Sequence, residues 1–156
     1  MLEVSIPGGE NLVLGHIVLD FNGTMALDGV LLPGVEERLN RLAGILSVHV
    51  LTADTFGTVR EACRGIRGEV GVLTAAVGAG EKERFVTGLS AATVVAVGNG
   101  TNDALMLAAA GLGIVVLGPE GTSPRALAAA DIVVSNINDG LDLLLSPKRL
   151  VASLRA

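Results

Sequence analysis

The chain contains very few aromatic residues and a single cysteine, and both shortages exclude classes of protein. Three Phe, no Trp and no Tyr occur among 156 residues, so the aromatic side chains on which single-stranded nucleic-acid bases stack are scarce. Cys63 alone can form neither an intrachain disulfide nor a zinc site built on cysteines. The core must therefore be built from the aliphatic residues that dominate the 50% hydrophobic content.

Positive charge is also in short supply. The chain has 11 Lys and Arg against 16 Asp and Glu, a formal net charge of −5, so the basic surface of a nucleic-acid-binding protein is missing. The longest uncharged apolar run, 104–118, is shorter than the roughly 18 residues that indicate a membrane-spanning helix. Residues 1–7 lack the basic charge of a secretory signal. We therefore expect a cytoplasmic protein that binds neither nucleic acid nor membrane.

Short runs of Val, Ile and Leu alternate with helical patterns, which indicates an α/β fold. The runs 17–19, 48–51 and 94–97 are apolar at every position, as in strands that helices cover on both faces. We predict one domain over residues 1–156, a three-layer α/β/α sandwich with a mostly parallel, Rossmann-like sheet. Residues 1–15 precede this alternation and predict an N-terminal β-hairpin.

The helical patterns place apolar residues on one face of each segment. The predicted helices cover residues 33–46, 55–63, 81–89, 102–110, 124–130 and 141–155.

Polar residues follow three of the predicted strands at the point where each strand ends. Asp20 follows the first, Thr52 the second, and a segment with Asn99 and Asp103 the third. Parallel sheets bind ligands at the carboxyl ends of their strands, so we expect these residues to lie close together. A carboxylate can attack phosphorus while hydroxyls and backbone amides hold the phosphate oxygens. Oxygen ligands suit Mg²⁺, and Lys82 supplies a cation to balance the phosphate.

The order of these residues resembles the four motifs of haloacid dehalogenase-like phosphohydrolases, and most closely those of small soluble relatives of the P-type ATPase phosphorylation domains. The first motif reads Asp-Phe-Asn-Gly-Thr from Asp20, and the second reads Thr-Ala-Asp from Thr52. The third is Lys82, and the fourth reads Gly-Asn-Gly-Thr-Asn-Asp from Gly98. The resemblance covers residues 16–145 and leaves only the N-terminal hairpin outside it.

This resemblance implies a Mg²⁺-dependent phosphohydrolase in which Asp20 attacks phosphorus and becomes an aspartyl phosphate. The implied catalytic residues are Asp20, Asn22, Thr52 and Lys82. The implied phosphate-binding residues are Phe21, Gly23, Thr52, Ala53 and Lys82. The implied Mg²⁺ ligands are Asp20, Asn22, Asn99 and Asp103.

Two positions depart from the family's pattern. Asn22 stands where the phosphatases have the Asp that protonates the leaving group and then activates water, and an amide cannot exchange a proton near neutral pH. Asn99 replaces the first acid of the fourth motif, which is usually a direct Mg²⁺ ligand. The P-type ATPases also lack an acid at the first of these positions and keep their aspartyl phosphate longer. The resemblance therefore implies slow turnover.

Two other functions stay open on the sequence alone. Hydrolases of C–halogen or C–P bonds also lack the second Asp of the first motif, although the fourth motif fits them less well. A phosphate-binding regulatory domain that has lost turnover would keep the same residues.

The spacing of the motifs leaves no room for a cap domain. Caps in this family are inserted just after the first motif or between the second and third, and both gaps are short here. A capless site is open to water. We therefore expect a phosphorylated small molecule or a macromolecule as substrate, or a homo-oligomer in which a neighbouring subunit covers the site.

Overall fold

The computed structural model describes residues 1–53, 57–74 and 78–156, in which strands and helices alternate. The described strands are β1 (Leu2–Val4), β2 (Leu12–Leu14), β3 (His16–Asp20), β4 (Ala26–Leu27), β5 (Val30–Leu31), β6 (Ser47–Thr52), β7 (Glu69–Val72), β8 (Val94–Gly98), β9 (Leu112–Val116) and β10 (Ile132–Val134). The described α-helices are α1 (Val35–Leu42), α2 (Val59–Ala62), α3 (Ala79–Gly88), α4 (Ala104–Ala109), α5 (Pro124–Ala129), α6 (Ile137–Leu145) and α7 (Pro147–Leu154).

Six of these strands form one parallel sheet in the order β10-β9-β8-β3-β6-β7. The strand β3 lies at the centre, paired with β6 on one side and β8 on the other. These three are the strands whose apolar runs the sequence identifies, and the burial of every residue of β8 explains why that run carries no polar residue. The predicted fold class is confirmed.

Helices cover both faces of the sheet. Side chains alternate across a strand, so Ile17 and Leu19 of β3 point into one apolar layer and Val18 points into the other. The first layer contains residues of α1, α2, α6 and α7, and the second contains residues of α3, α4 and α5. The result is the three-layer arrangement that the sequence predicts.

The predicted N-terminal hairpin is present as the antiparallel pair β1 and β2. Its residues Leu2, Val4 and Leu14 are buried in the first apolar layer. The backbone of Gly15 joins this hairpin to the large sheet, because its N–H donates to Thr93 O at 2.8 Å and its carbonyl accepts from Ser47 N at 2.9 Å.

A second hairpin, β4 with β5, follows the first motif and is absent from the sequence prediction. Its two turn residues, Asp28 and Gly29, have φ of 50° and 80°, the left-handed conformations that a two-residue hairpin turn requires. The strands have only two residues each, which is too short for a periodic pattern to appear. In the described part of the chain, the first possible cap position contains this hairpin and the second contains the segment 57–74. Neither is a cap domain.

The helical segment predicted over 141–155 is interrupted in the structure. The structure has two helices, α6 and α7, which meet at Ser146 and Pro147. Proline has no N–H to donate and clashes with the preceding turn, so it begins a new helix more readily than it continues an old one. The helix predicted for 55–63 is described from Val59, and its first two residues lie outside the described segments.

Across residues 1–53, 57–74 and 78–156, no helix has the length and apolar character to cross a bilayer. The longest helix described there, α3, has 10 residues, against about 20 for a membrane-spanning helix.

Candidate active site

The register of the central strands brings the predicted site residues to one edge of the sheet. Asp20 lies opposite Leu51, next to Thr52, and Leu19 lies opposite Val97, next to Gly98. The carboxyl ends of β3, β6 and β8 are therefore neighbours, as the strand-end pattern predicts. They open onto a crevice of about 210 Å³ that is lined by Asp20, Asn22, Thr52, Ala53, Asn99, Gly100, Asn102 and Glu120.

A buried lysine joins two carboxylates, one of which, Asp20, lines this crevice. Lys82 comes from α3, and its Nζ donates to Asp20 Oδ1 at 2.6 Å and to Asp103 Oδ1 at 2.7 Å. Its side chain is only 1% exposed. Burial acts to lower the pKa of Lys82, but the charges of Asp20 and Asp103 outweigh burial and raise that pKa above its usual value. Lys82 therefore stays charged although it is buried. The sequence around it, with Glu81, Glu83 and Arg84, is typical of a solvated helix face and does not indicate that burial.

Asp20 is a carboxylate in surroundings that favour its protonated, neutral form. Burial, and after it the charge of Asp103, raise the pKa of Asp20 to about 6. Lys82 and the Thr24 hydroxyl, 3.2 Å from Asp20 Oδ2, act in the opposite direction and limit the rise. The carboxylate predicted as the nucleophile is thus one whose burial favours the protonated form and whose charge depends on Lys82 and Thr24.

Asp103 is engaged on both of its oxygens. One accepts from Lys82, and the other, Oδ2, accepts the backbone N–H of Asn99 at 3.0 Å and of Gly100 at 2.9 Å. Its side chain has no exposed surface. Asp103 is not among the residues that line the crevice, and its predicted role as a Mg²⁺ ligand stays a prediction. Its geometry is that of a residue that holds Lys82 and the loop after β8 in place.

Asn99 links three parts of the site through its side-chain amide. Its Oδ1 lies 3.0 Å from the Thr24 hydroxyl, whose single proton can serve Asn99 or Asp20 at one time. Its Nδ2 donates to Gly121 O at 2.9 Å. A carboxylate at this position could not donate that second bond, so the amide fastens the loop after β9 to the loop after β8.

Asn22 uses its side-chain oxygen as a hydrogen-bond acceptor. Its Oδ1 accepts the N–H of Gly29 at 3.0 Å, and so ties the β4–β5 hairpin to the first motif. The residue lines the crevice beside Asp20. The position therefore has a structural contact that an Asp could also make.

The remaining phosphate-binding predictions fall in different places. Thr52 and Ala53 line the crevice, whereas the side chain of Phe21 is buried in the core. The N–H of Gly23 already donates to Ala26 O at 2.8 Å. Gly23 has a φ of 81°, and a Cβ atom at this position would lie 2.6 Å from Asn99 Nδ2. These two constraints account for a glycine at this position without any phosphate contact. Asp54 of the second motif lies outside the described residues.

Glu120 lines the crevice and is absent from the sequence prediction. It lies in the loop after β9, so it too follows the carboxyl end of a parallel strand. The strand-end pattern, applied to β9 as well as to the three strands before it, would have identified this carboxylate.

The oxygen donors of the crevice fit a hard cation, although fewer of them are charged than in related enzymes. In the described residues no group of three or more His, Cys, Asp or Glu side chains is placed to hold a metal ion. Asp20 and Asn99 nevertheless bring a carboxylate and an amide oxygen to the same crevice, and such oxygens are the ligands that Mg²⁺ takes. The residues present therefore fit Mg²⁺ through Asp20 and neutral oxygen donors.

Comparisons with known proteins agree with this fold. No protein-family model matches the chain. It is 52% identical over 62 residues to the uncharacterized protein MJ0073 of Methanocaldococcus jannaschii, a match that covers 40% of this chain and 67% of that protein. The structure is similar to a 3-deoxy-D-manno-octulosonate 8-phosphate phosphatase from Moraxella catarrhalis, which was solved in complex with a magnesium ion, a phosphate ion and a KDO molecule. That likeness has a TM-score of 0.67 and 14% identity and covers 91% of this chain and 94% of the phosphatase.

The catalytic domain of the CPx-ATPase CopB-B is a second similar structure. It has a TM-score of 0.60 and 25% identity, over 74% of this chain and 46% of the ATPase chain. The two structures represent the two branches whose motifs the sequence resembles, a phosphatase and a P-type ATPase. The chain therefore belongs to the same family as MJ0073 and has the haloacid dehalogenase-like hydrolase fold.

Proposed function

We propose that the chain is a phosphohydrolase that works through an aspartyl phosphate on Asp20. The observation that carries this proposal is the placement of Asp20 at the end of the central strand, with Lys82 Nζ 2.6 Å from one oxygen and the Thr24 hydroxyl 3.2 Å from the other. A cation and a hydroxyl thus orient a carboxylate that faces a polar crevice. The phosphatase and ATPase structures with the same fold support this chemistry.

In the first step a carboxylate oxygen of Asp20 forms a bond to phosphorus while the bond from phosphorus to the leaving oxygen breaks. Negative charge builds up on the phosphoryl oxygens during this exchange. Lys82 supplies positive charge next to Asp20, and Thr52 and the amide of Ala53 stand at the adjacent strand end to hold the phosphoryl oxygens. The leaving oxygen must take a proton from water, because Asn22 has none to give.

In the second step water attacks phosphorus, and the bond from phosphorus to Asp20 breaks. Inorganic phosphate leaves, the proton of the water goes to solvent, and the carboxylate of Asp20 is restored. Asn22 cannot accept that proton, so the position that carries a general base in the phosphatases supplies none here. We therefore propose a slow turnover and a long-lived aspartyl phosphate.

The proposed Mg²⁺ ligands are Asp20, the backbone carbonyl of Asn22 and the Oδ1 atom of Asn99. When bound, Mg²⁺ neutralises charge on the phosphoryl oxygens. Asp103, which the sequence predicts as a fourth ligand, is proposed instead to hold Lys82. The proposed substrate of this open crevice is a phosphorylated small molecule or a phosphorylated macromolecule. A second copy of the chain that covers the crevice is the other possible arrangement.

A phosphate-binding domain without turnover is the second candidate. The observation that favours it is Asn22, which is committed to the Gly29 N–H and supplies no acid or base. Such a domain would bind phosphate or an acyl phosphate at the same crevice and release no product.

Beryllium fluoride with Mg²⁺, a mimic of the aspartyl phosphate, is expected to raise the melting temperature of the protein. A ligand that binds only the folded state at about 100 times its Kd adds about 2.7 kcal/mol, which for a domain of this size corresponds to about 5–10 °C. Asp20→Ala should abolish the shift, because no acceptor oxygen remains. Differential scanning fluorimetry with and without the mimic measures both.

Glu10→Gln is the matched control for that experiment, because Glu10 is an exposed acid between β1 and β2 and outside the crevice. It should keep the full shift. A full shift in Asp20→Ala would show that Asp20 is not the acceptor. Phosphate release from acetyl phosphate or p-nitrophenyl phosphate then separates the enzyme from the binding domain.

Asn22→Asp is expected to raise kcat more for alkyl phosphates than for p-nitrophenyl phosphate. A poor leaving group needs a proton and a good one does not, and general acid catalysis contributes about 10²-fold or more. The Gly29 N–H can still donate to one carboxylate oxygen, which leaves the other free to protonate the leaving group. Steady-state phosphate release with both substrates and both proteins gives the comparison.

Equal changes for the two substrates, or a loss of activity, would assign Asn22 a different role. In that case its contact with Gly29, and not the missing proton, would be its contribution.

A further inference from the structure

The carboxylate of Glu120 faces a crevice that is short of negative charge. Asn22 and Asn99 are neutral where related enzymes carry acids, and Asp103 is closed off by Lys82 and two backbone amides. Of the acidic side chains that line the crevice, Asp20 comes from the motifs, and Glu120 comes from outside them. Glu120 is exposed.

The loop that carries Glu120 is fastened to the site. Gly121 N donates to Gly118 O at 3.0 Å and closes a turn with Glu120 at its corner. Asn99 holds this turn twice, because its Nδ2 donates to Gly121 O and its carbonyl accepts Ser123 N at 2.8 Å. The α-carbon of Gly118 packs against the carbonyl of Gly23 so closely that a side chain there would collide with it.

The Glu120 carboxylate therefore lies close to the first and fourth motifs. A Cβ atom placed on Gly23 would be 2.9 Å from Glu120 Oε2 and 2.6 Å from Asn99 Nδ2. Since both distances start at one point, those two atoms are no farther apart than their sum, about 5.5 Å. Asn99 Oδ1 is 3.0 Å from the same point, so it lies no farther from Glu120 Oε2 than about 5.9 Å. A carboxylate at that distance can reach a cation held by Asn99 Oδ1, directly or through one of the water molecules that Mg²⁺ retains.

We propose that Glu120 supplies the second negative charge of the cation site, in place of the acid missing at position 99, and that Asn99 is the positioning residue that holds the Glu120 loop. This inference rests on the proposed function, because it takes the cation to bind at Asp20. Moving the negative charge from position 99 to Glu120 has a physical reason. The amide at position 99 gives up a charge but gains an N–H, and that N–H fixes the loop that brings another charge.

Binding of Mn²⁺ alone, measured by the loss of the free-ion EPR signal, tests the assignment without any turnover, since Mn²⁺ takes the same oxygen ligands as Mg²⁺. Glu120→Gln is expected to weaken Mn²⁺ binding about tenfold or more, the scale on which residues supporting a metal site act. Asp20→Asn should weaken it as well. Glu10→Gln, which removes the same charge outside the crevice, should bind as the wild type does.

The double variant Asn99→Asp with Glu120→Gln returns the charge to position 99 and should recover part of the affinity that Glu120→Gln loses. If Glu120 had only a structural role, the double variant would not recover Mn²⁺ affinity. A double variant that recovers no affinity would therefore overturn the assignment. Wild-type affinity in Glu120→Gln would overturn it too, while binding that still depends on Asp20 would leave the proposed function standing. No Mn²⁺ binding by the wild type would remove both.

Discussion

Asp20→Asn is expected to abolish phosphate release while leaving the fold intact. An amide oxygen cannot displace an alcohol from phosphorus, and removing the nucleophile of an enzyme that forms a covalent intermediate costs roughly 10⁴-fold or more in kcat. Acid-quench trapping of labelled phosphate on the protein should fail in the same variant. Mass spectrometry of the purified variant checks that the introduced amide has not been hydrolysed back to a carboxylate.

The same substitution should stabilise the metal-free protein at neutral pH. The pKa of Asp20 is raised from 3.8 to about 6 in the folded state, so the folded protein binds a proton that the unfolded chain releases between these values. The wild type therefore loses free energy of unfolding as the pH rises from about 4 to about 6, by at most roughly 3 kcal/mol. Asp20→Asn has no such loss. Urea titrations in EDTA at pH 4.5 and pH 7.5 measure the difference, and equal stability of the two proteins at both values would contradict it.

Lys82→Met is expected to be strongly destabilising as well as inactive. The substitution leaves the buried carboxylates of Asp20 and Asp103 without the cation that each contacts within 2.7 Å. Breaking a buried ion pair by removing one partner costs about 3–5 kcal/mol, which for a domain of this size lowers the melting temperature by roughly 10 °C. The loss should be smaller at pH 5 than at pH 8, because Asp20 takes up a proton more readily once Lys82 no longer lowers its pKa.

Lys148→Met is the control, since Lys148 is exposed on α7 and its replacement should change stability little. Adding Asp103→Asn to Lys82→Met should restore part of the lost stability, because only one carboxylate then remains. If Lys82→Met is as stable as the wild type, the two contacts of its ammonium do not hold the site together.

The central part of the fold could be predicted from the sequence because its strands are apolar at every position. Such runs occur where both faces of a strand are covered, and β3, β6 and β8 match their predicted runs to within one residue at each end. The β4–β5 hairpin could not be found in this way, since strands of two residues have no period. Its Asp28-Gly29 turn was nevertheless visible as a dipeptide typical of tight hairpins.

The candidate site was predictable at the level of strand ends but not of contacts. That Asp20, Thr52 and Asn99 line one crevice follows from parallel strands ending at the same edge. Which oxygen of Asp103 meets Lys82, and which meets the backbone, depends on how α3 packs against the sheet. Glu120 escaped prediction for a simpler reason: its loop follows a strand that carries no recognised motif.

The open crevice has a consequence for how the protein would respond to its solvent. Enzymes that close a lid over the substrate are often limited by that motion or by product release, and such steps slow down as the solvent becomes more viscous. Neither possible cap position holds a lid in the described residues, so nothing there has to swing shut before bonds change. If the slow step is hydrolysis of the proposed aspartyl phosphate, kcat should stay constant as glycerol or sucrose raises the viscosity of the medium.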